Sequence, residues 1–152
     1  MEIKKLLKRS KTERYPKTLK LFQKFTYLTE ELSRKKLNDS TVDHINSYIE
    51  DLNNSLAKQK KYHTDLRDAY NGVLKYLRKN EKIVPKHYYR NMWLAIGMSS
   101  FGVPIGVAFG LVFDNMAFLG IGLPIGMGIG IAIGANLDDK AKKEGKQLDI
   151  TL

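Results

Sequence analysis

The 152-residue chain contains no cysteine, one tryptophan, four prolines and three histidines. Without cysteine there is no disulfide, no thiolate nucleophile and no Cys-based metal site. His44, His63 and His87 stand apart, none with a partner at metal-ligand spacing. Acids are outnumbered by bases, 16 to 26, which leaves a net charge of +10. The most informative absence is local. From Asn91 to Leu137 the only charge is Asp114, which divides two uncharged stretches of 23 residues, Asn91 to Phe113 and Asn115 to Leu137. A bilayer's hydrocarbon core needs about 20 apolar helical residues to cross. Each stretch is long enough, so the pattern predicts a membrane hairpin with Asp114-Asn115 at its tip.

What charge there is lies mostly before that hairpin. Residues 1–90 hold 22 Lys/Arg against 11 Asp/Glu, while residues 138–152 balance four lysines against four acids. Positive flanks stay cytoplasmic. The expectation is an integral membrane protein, of the bacterial inner membrane, with both termini cytoplasmic. The first 20 residues are too basic, and too poor in apolar residues, to read as a secretory signal.

The polar part reads as helix. Leu21, Phe25, Leu28 and Leu32 mark a first helix from about Thr18 to Leu37. After a short break, with Asp39-Ser40 as the cap, Val42, Ile45, Ile49, Leu52 and Leu56 recur in steps of three and four. The register then passes Gln59 and His63 to Leu66, Tyr70, Val73 and Leu77. A period of 3.5 residues predicts a coiled-coil seam on one helix about 60 Å long at 1.5 Å per residue, with Gly72 its weak point. The two helices predict an antiparallel hairpin whose longer member leaves part of its seam uncovered. In the first 17 residues, Lys4, Lys5, Lys8 and Arg9 lie among Ile3, Leu6 and Leu7. Such a basic amphipathic arm suits the anionic headgroups of a lipid bilayer; no nucleic-acid motif accompanies it.

Within the hairpin, Gly102-Val-Pro-Ile-Gly-Val-Ala-Phe-Gly110 is echoed twenty residues later by Gly122-Leu-Pro-Ile-Gly-Met-Gly-Ile-Gly130. Gly122, Gly126, Gly130 and Gly134 form one row, and Gly120, Pro124, Gly128 and Ala132 a second, about 200° away around a helix. Small residues let helix backbones approach closely in lipid. Gly102, Gly106 and Gly110 form a matching row in the first span, with Ser100, Pro104 and Ala108 beside it. Pro104 and Pro124 each remove an amide near mid-span and predict kinks, with Ser99 or Ser100 helping to satisfy the freed carbonyl. Tyr88, Tyr89 and Trp93 suit the interfacial layer. From GLPIGMGIGIAIGANLDDKAKKEGKQL, with its in-phase repeat, the chain resembles small bacterial glycine-zipper family membrane proteins over roughly Gly102 to Leu148. That resemblance implies membrane location and helix packing without an activity.

The fold expectation is all-α: a cytoplasmic helical hairpin/coiled-coil module followed by a two-span transmembrane helical hairpin. Its divisions are a basic arm (1–17), the coiled-coil module (18–86), the glycine-zipper hairpin (87–137) and a cytoplasmic tail (138–152). No nucleophile–base constellation or phosphate-cradling loop is present, so no enzyme, cofactor or metal is expected. Two opposed small-residue faces predict a homo-oligomer, with a pore-forming or membrane-perturbing assembly as one outcome. The alternative is an anchor whose seam recruits a cytosolic protein partner.

Overall fold

A computed structural model describes residues 2–10 and 12–151. It is nearly all helical: α1 (Pro16–Ser33), α2 (Asp39–Asn54), α3 (Gln59–Asn80), α4 (Tyr88–Gly97), a π-helical turn (Met98–Gly102), α5 (Val103–Val112) and α6 (Leu119–Lys143). Short 3-10 turns lie at Thr12–Arg14 and Met116–Phe118. Strands β1 (Val84–Lys86) and β2 (Gln147–Thr151) pair in a two-stranded sheet. The chain divides into two compact units. The first is residues 1–84 with 148–150, and the second is residues 85–147 with 151–152.

The first unit is a three-helix bundle. Pro16 opens α1, where its missing amide costs no hydrogen bond. Phe22, Phe25, Leu28 and Leu32 then bury one stripe. The expected single long helix is broken: Ser55 is extended, and α3 restarts at Gln59. Serine side chains favour bonds to local backbone over helix continuation, and here Ala57 N–H donates to Ser55 Oγ (3.3 Å). Leu56, counted as a seam residue, is fully exposed at 101%. The antiparallel pair is therefore α2 with α3. His44 stacks on Tyr76 with ring centroids 3.9 Å apart. Gly72 sits where a Cβ would lie 2.6 Å from the Tyr48 hydroxyl, so this glycine is a contact point inside an unbroken helix.

The α2 start is not capped by Asp39 or Ser40. Glu81, just past α3, accepts from Asn38 Nδ2 (3.0 Å) and Thr41 Oγ1 (2.6 Å), which sets a carboxylate at a helix N-terminus. α1 runs alongside α3, with Thr18 Oγ1 3.0 Å from His63 Nδ1 and Phe25 edge-on to Tyr70. The seam residues Leu66, Tyr70, Val73 and Leu77 are buried in this bundle rather than left uncovered.

The arm is not a helix. Residues 2–9 lie without regular secondary structure along α2, gripped by two asparagines seven residues apart. Asn46 accepts from Lys4 N–H (2.7 Å) and donates to Glu2 O (3.0 Å). Asn53 accepts from Leu7 N–H (2.8 Å) and donates to Lys5 O (3.0 Å). Two helical turns advance about 10 Å, and three residues of extended chain advance about the same, so both grips engage in one register. Leu6 is thereby buried. Losing about 1.4 kcal/mol of docking raises the undocked population about tenfold. An Asn46→Ala/Asn53→Ala variant should accordingly be cut by trypsin at Lys5 and Lys8 roughly tenfold faster at unchanged helix content. Equal cleavage rates would show that Leu6 alone holds the arm.

The strand β2 belongs in part to this same core. Leu148 and Ile150 are buried among the bundle side chains with Ile83, Val84 is fully buried, and Asp149 N–H donates to Glu31 Oε1 (2.8 Å). Residues 148–150 are thus a structural part of the helical module.

Candidate functional site: the glycine-lined hairpin

Two helical segments of the second unit, Tyr88–Val112 and Met116–Lys143, are long and apolar enough to cross a membrane. They fold back on each other as an antiparallel hairpin. At its tip Asp114 adopts a left-handed conformation (φ 49°). Asn115 Oδ1 caps the next turn by accepting from Ala117 N–H (2.9 Å). The tip falls at the one charge in the apolar run.

The glycine rows face each other. A Cβ on Gly126 would come 2.5 Å from Gly102 Cα, and one on Gly122 2.5 Å from Gly106 Cα. Gly106 faces Leu119, Gly110 faces Met116, Gly130 faces Trp93 and Leu94, and Gly134 faces Arg90 (2.5 Å). Real Cβ atoms do not approach backbone so closely, so Gly106, Gly122, Gly126, Gly130 and Gly134 admit no side chain, while Gly102 is tight at 3.1 Å and Gly110 meets only the Met116 sulfur at 3.1 Å. All seven expected packing glycines are brought into one interface.

An eighth, Gly97, was not anticipated because it lies five residues before Gly102 and off the four-residue row. Five residues of α-helix turn about 500°, which would rotate Gly97 well away from that face. The π turn Met98–Gly102 absorbs the extra residue, as π-bulges do, and Val103 N–H donates to Met98 O. A Cβ on Gly97 would accordingly lie 2.8 Å from Gly130 Cα. The turn ends two residues before Pro104, whose missing amide disrupts the regular ladder. Ser99 Oγ donates to Ala95 O and Ile96 O (both 3.1 Å), not to the carbonyl at Ser100. Pro124 lies inside α6, which continues through it.

The open end of the hairpin is closed by a residue that sequence reading left in the tail. Asp138 is 5% exposed, and its two carboxylate oxygens accept from Tyr89 N–H (3.1 Å) and Arg90 N–H (3.0 Å). α4 begins after a left-handed His87 and has no side-chain cap of its own. α6 therefore caps α4 across the hairpin, satisfying two amides that a helix start leaves unpaired. The available signal was an Asp-Asp pair directly after the apolar run. Tyr88 and Tyr89 stand edge-to-face beside this junction, and Trp93 lies one turn further along.

The second small-residue row is free of the hairpin contact. Gly120 and Gly128 have nothing within 4 Å of a built Cβ, and Pro124 and Ala132 are exposed with them. Ser100, Pro104 and Ala108 are exposed likewise. Of the four basic residues expected to meet lipid, Lys4, Lys8 and Arg9 are engaged within the first unit. Lys4 pairs with Glu50, Lys8 with Glu13, and Arg9 lies 3.8 Å over the Tyr62 ring while donating to Ala57 O. Lys8, by hydrogen bond and charge, holds the Glu13 carboxyl below its ordinary range. Burial pushes the Tyr62 hydroxyl up, partly opposed by the Arg9 charge. Lys5 is exposed, with only its carbonyl held by Asn53. Among the described residues no group of three His, Cys, Asp or Glu is placed to hold a metal ion. Comparison with protein-family models, curated proteins and solved structures finds no match to this chain.

Proposed function

We propose that this chain is an integral membrane protein whose spans form a self-packed hairpin and whose outer small-residue rows join copies side by side. One observation carries the reading: the hairpin is packed inside out. Its contact face is glycine, while Phe101, Val103, Phe109, Leu111, Val112, Ile121, Ile125 and Ile131 are exposed. In water that arrangement leaves the large apolar groups without the burial that drives folding. In hydrocarbon they need none, and close backbone approach becomes the stabilising term. The row Gly120, Pro124, Gly128 and Ala132 repeats the same chemistry on the outside and suits a second copy.

The tail strand supports placing the module and the tail on one side, since the chain leaves the bundle core at Val84 and returns to it at Leu148. The excess of basic residues before the hairpin favours the cytoplasmic face of a bacterial inner membrane. A pore is a narrower reading, favoured only by Ser100 on the outer row. The alternative, recruitment of a cytosolic partner through the seam from Leu56 to Leu77, has less support, since Leu66, Tyr70, Val73 and Leu77 are buried within their own module and only Leu56 is fully exposed.

The test is mass. In nanodiscs large enough for several copies, the wild type should run as an oligomer and Gly128→Leu as a monomer with unchanged helix content. A monomeric wild type, or a Gly128→Leu variant of undiminished mass, refutes self-association through this face.

A further inference from the structure

Residues 2–9 carry a pattern that their seat on α2 does not use. Wound as an α-helix, Ile3, Leu6 and Leu7 would share an arc of about 100°, with Lys4, Lys5, Lys8 and Arg9 on an opposite arc of about 140°. A two-residue period cannot make that separation, because it sets Leu6 beside Lys4 and Lys8 and leaves Ile3 and Leu7 with Lys5 and Arg9. Yet the arm is non-helical where it docks. Leu6 is buried there, Ile3 only in part, and Leu7 stays 59% exposed. The charges are poorly served as well. Lys4 with Glu50 and Lys8 with Glu13 are exposed pairs, which contribute little. Arg9 Nη2 is buried without an acceptor, a cost that lasts as long as the arm stays docked. The asparagine grips, the buried Leu6 and the Arg9–Tyr62 stack hold the seat against these costs. Two segregated faces suit a different environment, hydrocarbon on one side and anionic headgroups on the other. A helix this short is marginal in water, so it needs such a surface in order to form.

We propose that the arm is a two-state strap, seated on α2 over neutral lipid and helical on the surface of the bilayer that holds the hairpin when that surface is anionic. This rests on the reading of the hairpin as membrane-inserted. In moving, the arm exchanges two exposed carboxylates for lipid phosphates, buries Leu7 together with Ile3 and Leu6, and frees Asn46 and Asn53. The differential affinity of the two states for acidic lipid drives the shift. The charge of the bilayer thereby decides whether this face of α2 is covered.

The test places the full chain in nanodiscs of phosphatidylcholine, alone or mixed with phosphatidylglycerol, and follows it by NMR. In neutral discs the side-chain amides of Asn46 and Asn53 should report the docked arm. In anionic discs the docked population should fall about tenfold or more, while the Cα shifts of residues 3–9 move to helical values. A polarity-sensitive dye on Leu7→Cys, the one cysteine in that variant, should shift to the blue in anionic discs alone. Lys4→Gln/Lys5→Gln/Lys8→Gln should stay docked in both lipids with the bundle amides unchanged. Asparagine signals indifferent to phosphatidylglycerol would refute the strap, and equal release in neutral discs would refute its dependence on charge. Release without helical shifts would refute the surface helix. Duplex DNA that frees the arm equally well over neutral lipid would overturn the lipid assignment in favour of a general polyanion response. Spans whose amides exchange freely with water would overturn the membrane reading and the strap together, a result distinct from an inserted hairpin with an arm that stays docked.

Discussion

Gly126→Leu is expected to part the two spans while leaving each of them helical. A Cβ at this position meets Gly102 Cα at 2.5 Å, and the obstructing atoms are backbone that cannot rotate away. The helices must separate by several ångströms along the centre of their contact, which removes the close approach that holds them. Each span is independently long enough to remain in a bilayer, so circular dichroism should change little. The chain offers two unique probe sites, since it has one tryptophan and no cysteine. Energy transfer from Trp93 to an acceptor on Asn136→Cys, in nanodiscs holding one copy, should fall strongly in Gly126→Leu. It should stay at the wild-type value in Gly128→Leu, where nothing lies within 4 Å. Undiminished transfer in Gly126→Leu would mean that the glycine contact does not hold the hairpin.

The second large effect lies in the tail. Leu148 is completely buried in the bundle core, and truncating a buried leucine removes transfer energy and leaves a cavity. Leu148→Ala should therefore destabilise the module by about 2–5 kcal/mol, whereas Thr151→Ala, on the exposed edge of the same strand, should change it by about 0.5 kcal/mol or less. Urea titration followed by helix signal measures both, because the spans keep their helix in lipid. Equal midpoints for Leu148→Ala and the wild type would show that the strand merely rests on the bundle.

The hairpin was legible because its signals are local and strong. Two uncharged runs, one charged tip and glycines four apart each specify their own geometry. Gly97 was hidden because its place on the contact face depends on a π turn, and four-residue counting assumes a regular α-helix. The long helix was overread for the opposite reason. Leu56, Gln59 and His63 continue the 3.5-residue phase across a break, so periodicity saw continuity where the chain turns extended at Ser55. The arm and the tail strand were invisible to any periodicity. Leu6 and Leu148 are held by Asn46, Asn53 and the bundle interior, partners far away in sequence. Asp138 was read as a tail charge because its role depends on two amides 48 and 49 residues earlier.

The position of β2 also fixes an order of events during biosynthesis. Its hydrogen bond to Glu31 spans 118 residues, and both apolar helices lie between. A ribosome releases helices α1 to α3 well before Leu148 exists, so the bundle waits with an open cleft in its core while the hairpin is made. Domains emerging first ordinarily finish folding first. Here the unit made before the hairpin is completed by a segment made after it, so closure of its core follows synthesis of both apolar helices. A chain stalled within the hairpin would display an unfinished, apolar bundle surface to proteases and chaperones.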